Sequence, residues 1–139
     1  LSMINVKEAE DGDVLASGWA YIAPGSHHML VKSSNDNRYK ILLNKEAPEN
    51  GHRPSVSVMM KSVAETGHNN IIAAMLTGMG SDGSDGILEI KKAGGKTIAQ
   101  DERTCVVYGM PKSAVNIGAI DTIAPLHGIT GEILKCMGV

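Results

Sequence analysis

The sequence of 139 residues contains no phenylalanine, only one tryptophan and three tyrosines. A core built mainly from aromatic side chains is therefore excluded. Aliphatic residues, together with the eight methionines, must supply most of the packing volume.

The sequence also lacks an excess of positive charge, a long apolar run and paired cysteine motifs. Thirteen Lys and Arg residues against 15 Asp and Glu residues give a net charge of −2. Neither a nucleic-acid backbone nor an anionic membrane surface is a favoured partner, and no stretch approaches the length of a membrane span. Cys105 and Cys136 stand alone without metal-ligand or disulfide spacing, which favours a reducing cytoplasm.

No metal site is predicted from the histidines and acidic residues. His27 and His28 are adjacent, so in an extended segment their side chains point to opposite faces, and we expect turn or surface positions for both. The acidic cluster over residues 8–13 lacks the spacing of an EF-hand loop and is expected to be a solvated turn.

Apolar periodicity predicts an α/β fold with one domain over residues 1–139. The first third alternates short apolar segments with turns, and the turn signal SSNDNR predicts a β-hairpin. Helical spacing follows over 56–64, with Pro54 suited to the first turn and Gly67 to the C-terminal stop. Beyond residue 69, strands and helices alternate, which predicts a mainly parallel, Rossmann-like three-layer sheet flanked by helices. We expect strands at 71–76, 97–99 and 120–124, and helices at 82–93, 111–117 and 129–137.

The loop after the first of these strands reads LTGMGSDG and offers two functional interpretations. Gly78, Gly80 and Gly83 form G-x-G-x-x-G between a strand and a helix, which is the context of a dinucleotide-binding loop. Against a cofactor, Asp82 and Asp85 occupy the helix N-terminus, where each carboxylate repels phosphate. No cofactor is therefore expected.

The alternative is a loop that presents a carboxylate at the carboxyl edge of a parallel sheet. Asp82 is also suited to a purely structural role as the cap of the following helix. Held by backbone N–H groups, it would stay ionised and could orient an imidazole during acyl transfer. However, the chain has no G-x-S-x-G nucleophile elbow, so a triad built on Asp82 would lack its serine.

Five segments make the chain similar to a known family, the catalytic domain of the CheB chemotaxis protein-glutamate methylesterases. They occur in the family's order over nearly the whole chain: VKEAEDGD at 6–13, AYIAPGSHHM at 20–29, HRPSV at 52–56, LTGMGSDG at 76–83 and CVVYGMPKSAV at 105–115. The resemblance implies a Ser-His-Asp triad that removes methyl esters from receptor glutamates and deamidates certain receptor glutamines. It implies no cofactor and no metal.

The resemblance assigns Asp82 as the triad aspartate, with Met79, Gly78 and Gly80 in the active-site vicinity. The family's serine and histidine lie in G-x-S-T-G-G and Q-H-M-P segments, neither of which occurs in this sequence. His28-Met29 falls in a different segment and is not expected to be the base. Because the sequence does not begin with Met, we expect it to be the later part of a catalytic domain, inactive alone. The missing groups and a regulatory receiver domain are expected upstream.

Partners implied by the resemblance are the cytoplasmic helices of methylated chemoreceptors. Arg53 matches a family segment near the cleft, where it could contact an acidic receptor helix; an exposed structural position at a helix start is the alternative.

A domain without its early strands would leave unpaired sheet edges, so self-association is expected. A noncatalytic receptor- or partner-binding module of the same fold is the alternative function.

Overall fold

The computed structural model describes residues 3–139 and confirms the α/β prediction. Its elements in chain order are β1 (Asn5–Glu8), β2 (Trp19–Ile22), β3 (His28–Ser33), β4 (Tyr39–Asn44), α1 (Val56–Glu65), β5 (Ile72–Met75), α2 (Ser84–Lys92), β6 (Lys96–Gln100), α3 (Met110–Asn116), β7 (Thr122–Ala124), a 3-10 turn (Leu126–Gly128) and α4 (Ile129–Cys136).

The second half of the chain forms a parallel sheet in the order β5-β6-β7. Ile72 lies opposite Lys96, and Ile98 lies opposite Thr122. Helix α2 connects the first two strands and α3 connects the next two, as the alternating pattern predicted. The carboxyl ends of all three strands therefore meet at one edge, where parallel sheets place their sites.

Helices cover both faces of this sheet, so the predicted three-layer arrangement is correct. Along β5, Ala73 and Met75 belong to a buried cluster with residues of α1, α2 and α3. The alternate residues Ile72 and Ala74 pack with Ile129 of α4 on the opposite face. The core is aliphatic, as the absence of phenylalanine required.

Two smaller sheets precede the parallel sheet. Strands β3 and β4 form the predicted antiparallel hairpin, with His28 opposite Asn44 and Ser33 opposite Tyr39. Strands β1 and β2 pair in parallel, an arrangement that their short apolar segments did not reveal. Strands β5 and β7 form the two edges of the three-stranded sheet. Self-association through such edges stays a prediction. Within residues 3–139, no helix is long and apolar enough to cross a membrane.

Helices α1 and α2 approach each other closely at Gly86. A Cβ atom built at this position would lie 2.8 Å from the Ser57 Cα and 2.9 Å from its carbonyl oxygen. Both are backbone atoms of α1, which cannot move aside as a flexible side chain can. Glycine is therefore required for the packing of the two helices that border the candidate site.

We predict that Gly86→Ala lowers the free energy of unfolding by about 1–3 kcal/mol, because overpacking outweighs the gain in helix propensity. Gly131→Ala in α4 is the matched control, since nothing lies within 4 Å of its Cβ position. Without a clash, that change is expected to stabilise the chain by about 0.5–1 kcal/mol. Urea unfolding measures both; equal effects would contradict the close approach.

Candidate functional site

Asp82 lies in the loop between β5 and α2, at the carboxyl edge of the parallel sheet. Only 4% of its surface is exposed. A buried carboxylate is costly unless it is hydrogen-bonded, so its partners decide whether it can remain charged.

The donors to Asp82 come mainly from the N-terminus of α1. Ser55 Oγ donates to Oδ1 at 2.7 Å, and the Val56 N–H donates to Oδ2 at 2.7 Å. Oδ1 also accepts the Asn50 amide at 3.3 Å and the Ser57 N–H at 3.4 Å. Helix α1 has no acidic residue in its own first turn, so Asp82 supplies the anion that this helix terminus favours.

This geometry corrects the structural role expected from sequence. Asp82 does not cap the helix that follows it: the N-cap of α2 is Gly83, which has a φ of 94° and makes no side-chain capping bond. The carboxylate caps α1 instead, across a separation of 26 residues from Val56. The N-cap of α1 is Ser55, so the prediction that Pro54 lies in the first turn is wrong.

The hydrogen bonds keep the Asp82 carboxyl ionised. Burial is the strongest single influence and raises the pKa. The hydrogen bonds from Ser55, Val56, Asn50 and Ser57 together outweigh it, so the pKa of Asp82 lies below the ordinary aspartate value. The site therefore holds a negative charge at neutral pH.

A lowered pKa in the folded state links Asp82 to acid stability. Its contribution is fully present above the pKa of the unfolded chain and is lost as pH falls through the lower folded pKa. We predict that Asp82→Asn flattens the fall in unfolding free energy between about pH 5 and pH 2. Urea titrations of the two proteins at a series of pH values measure this difference. Identical pH profiles would show that the carboxyl is not preferentially ionised in the folded state.

His28 is buried beside this network, which corrects the expectation of a turn or surface position. It is 1% exposed. Its Nδ1 accepts the Ser55 N–H at 3.2 Å, and its Nε2 lies 2.9 Å from the Ala47 carbonyl oxygen. These partners suit the neutral ring with the proton on Nε2. Its Nδ1 holds the Ser55 N–H and its Nε2 is paired with the Ala47 carbonyl, so His28 supports the residue that donates to Asp82.

Gly78, Met79 and Gly80, the other site residues predicted in this loop, lie where it packs closely against the loop that leads into α3. The Gly78 carbonyl accepts the N–H groups of Gly109 and Met110 at 3.1 and 2.9 Å. A Cβ at Gly78 would lie 2.5 Å from the Met110 sulfur, and Gly80 has a φ of 90°. Met79, between these two glycines, is 78% exposed. The glycine spacing therefore has a structural reason that needs no phosphate.

Arg53 lies two residues before the donor Ser55 but is directed elsewhere. It is half-buried, and its Nη1 donates to the carbonyl oxygens of Lys45 at 3.1 Å and Glu46 at 3.3 Å. These bonds tie the segment after β4 to the start of α1. The structure therefore gives the guanidinium a local structural function beside the site.

A surface cavity of about 350 Å³ adjoins the network. Asn50, which donates to Asp82, lies in its wall. The other lining residues are predominantly polar: Ser81, Ser84, Asp85, Ser113, Asn116 and Ile117. Among residues 3–139, no group of three or more His, Cys, Asp or Glu side chains is arranged to hold a metal ion.

Comparison with known proteins decides the family. The family model described as CheB methylesterase matches residues 1–133. The chain belongs to the CheB methylesterase family. The matched range includes the five segments identified in the sequence. The parallel sheet flanked by helices agrees with the same family.

Curated relatives and a solved structure support the same assignment. The chain is 50% identical over 135 residues to protein-glutamate methylesterase/protein-glutamine glutaminase 2 of Pseudomonas aeruginosa, and 49% identical over 135 residues to the protein-glutamate methylesterase/protein-glutamine glutaminase of Thiobacillus denitrificans. Each alignment covers 97% of this chain but 38% of the relative. The crystal structure of the Thermotoga maritima CheB methylesterase catalytic domain matches with a TM-score of 0.89 at 40% identity. That match covers 93% of this chain and 68% of the solved chain.

The sequence pattern predicted the acidic residue of this candidate site but not the residues that donate to it. Ser55 directly precedes the apolar helical pattern, which is an N-cap signal that could have been read. Its partner Asp82 lies 27 residues further along the chain, and no local sequence pattern predicts that contact. Asn50 and Ser57 carried no recognisable signal.

Proposed function

We propose that this CheB-family chain is the later part of a protein-glutamate methylesterase catalytic domain, in which Asp82 is the acid of a Ser-His-Asp triad. The observation that carries the proposal is the buried, ionised carboxylate held by Ser55, Val56 and Asn50 at the carboxyl edge of the parallel sheet. Such a group orients an imidazole and stabilises the imidazolium that forms when the histidine takes a proton from the serine.

The hydrogen bonds to the two carboxylate oxygens favour one geometry for that imidazole. Oδ1 accepts from Ser55, Ser57 and Asn50, whereas Oδ2 accepts only the Val56 N–H among the described residues. A carboxylate oxygen can accept two hydrogen bonds. We therefore assign Oδ2 as the atom that receives the histidine N–H.

The loop from Gly78 to Gly80 is proposed to form the wall of the same active site, with Met79 near the position of the developing oxyanion. Exposed apolar side chains on this loop and its neighbour support a substrate-facing role: Leu76, Met79, Val106 and Val107. We propose that this edge contacts the cytoplasmic helices of methylated chemoreceptors, and that Arg53 lies at the margin of that contact.

The serine and histidine would come from a part of the gene product outside these 139 residues, since neither family motif occurs within them. The proposed reactions are hydrolysis of receptor glutamyl methyl esters and deamidation of receptor glutamines, in the cytoplasm and under control of a receiver domain. The proposed chemistry uses protein side chains and a water molecule and requires no cofactor.

Methanol release from methylated receptor by the full-length gene product tests this function. Release that depends on Asp82 is expected. A folded full-length protein that binds receptor but releases no methanol would instead identify a noncatalytic binding module.

A further inference from the structure

Gln100 is the last residue of the central strand β6, and its side chain is completely buried. Its Oε1 accepts the Thr77 N–H at 2.8 Å, while its Nε2 donates to the Thr104 carbonyl at 2.9 Å and to Thr104 Oγ1 at 3.2 Å. A backbone N–H on one side and a carbonyl on the other fix the orientation of the amide. Among proteinogenic side chains of this length, only an amide or a protonated acid provides both an acceptor and a donor.

The amide joins the loops that follow all three parallel strands. Thr77 lies in the loop after β5, and Thr104 lies in the loop after β6. Thr104 Oγ1 also accepts the Leu126 N–H at 3.0 Å, and this hydrogen bond links the segment after β7 to the same network. Gln100 is therefore the centre of a hydrogen-bond chain along the edge of the sheet that carries the candidate site.

The loop held through Thr77 has little freedom to adjust. Thr77 Oγ1 accepts the Val107 N–H at 2.9 Å, and the Gly78 N–H donates to the Val107 carbonyl at 3.1 Å. A Cβ at Gly109 would lie 2.7 Å from the Gly78 carbonyl oxygen. A shift of Thr77 would consequently be transmitted to Met79, two residues further on.

We propose that Gln100 is a positioning residue for the active site. It acts through Thr77 to fix the Gly78–Gly80 loop relative to the loop containing Thr104, without touching substrate. The inference rests on the proposed function for its effect on turnover. Its effect on the loop is independent of that function.

The main test compares Gln100→Met with wild type in the full-length gene product. Methionine has a similar length but leaves the Thr77 N–H and the Thr104 carbonyl without their partner. Amide hydrogen exchange at Thr77 is expected to accelerate at least about tenfold, since its N–H loses the Gln100 acceptor. Turnover is expected to fall about 10- to 100-fold in kcat with KM little changed, because misplacement of the reacting groups acts on the chemical step.

Thr97→Val is the matched control. Thr97 lies on the same strand, is also completely buried, and its hydroxyl donates to the Ala119 carbonyl at 2.7 Å. It lies at the opposite end of the sheet from the loops. Loss of the Thr97 hydroxyl is expected to lower the stability of the fold but to leave hydrogen exchange at Thr77 and kcat unchanged.

Gln100→Glu provides a second, conservative variant if the methionine variant does not fold. Glutamate keeps the acceptor for Thr77 and, once protonated, restores the donor to Thr104. Its kcat relative to wild type is therefore expected to rise as pH is lowered, and its exchange at Thr77 to stay closer to wild type. A ratio independent of pH would overturn the role of the amide.

The outcomes separate this inference from the proposed function. An active enzyme whose Gln100→Met variant keeps wild-type kcat and exchange, or whose Thr97→Val control loses kcat equally, overturns the inference alone. A full-length protein that releases no methanol refutes the proposed function, and exchange at Thr77 then still decides whether Gln100 holds the loop.

Discussion

Replacing Asp82 with asparagine in the full-length gene product is expected to lower the kcat for methyl-ester hydrolysis by about 1,000- to 10,000-fold. Asparagine has nearly the same volume but no charge to stabilise an imidazolium, and its amide can select the wrong histidine tautomer. Methanol release from methylated receptor measures the rate. Circular dichroism and urea unfolding provide the folded fraction, because Asp82 also caps α1 through Val56.

Asp121→Asn is the control for this experiment. Asp121 also accepts a backbone N–H, from Thr97 at 3.0 Å, but it lies at the amino end of the parallel strands. We expect the Asp121→Asn substitution to change the stability of the fold and to leave kcat unchanged. Comparable activity of wild type and Asp82→Asn, after correction for folding, would contradict the triad assignment.

The isolated chain of 139 residues is expected to release methanol about 10⁶-fold more slowly than the full-length gene product. Loss of a triad serine or histidine has this magnitude because the triad acts as a unit. The assay is the same, with the isolated chain shown to be folded by circular dichroism and its concentration matched.

A chimaera supplies the positive control for the isolated chain. In it, this chain replaces the matching 135 residues of the Pseudomonas aeruginosa relative. Activity in the chimaera but not in the chain would locate the remaining catalytic groups outside the 139 residues. Hydrolysis by the pure chain at the rate of the full-length protein would refute the proposed division of the site.

Elements set by local physical chemistry could be predicted from the sequence. Helix α1 has a strong 3.6-residue apolar period, and the hairpin around SSNDNR has residues that tolerate left-handed backbone angles, as Asn37 does with a φ of 60°. The parallel sheet followed from alternation of strands and helices, which admits few topologies.

Features that depend on long-range contacts could not be predicted. The parallel pairing of β1 and β2 has no local signature, because each strand is only four residues long. The burial of His28 and the cap that Asp82 provides to α1 both depend on where the chain brings Ser55. The sequence predicted Asp82 as the acidic residue of the candidate site, whereas the contacts that hold its carboxylate depend on the fold.

The most direct measurement is a crystal structure of the full-length gene product at neutral pH. We predict that an imidazole nitrogen lies about 2.6–3.2 Å from Asp82 Oδ2, with the second nitrogen of that ring directed at a serine hydroxyl. Absence of any imidazole other than that of His28 within about 6 Å of the Asp82 carboxylate in that structure would contradict the account.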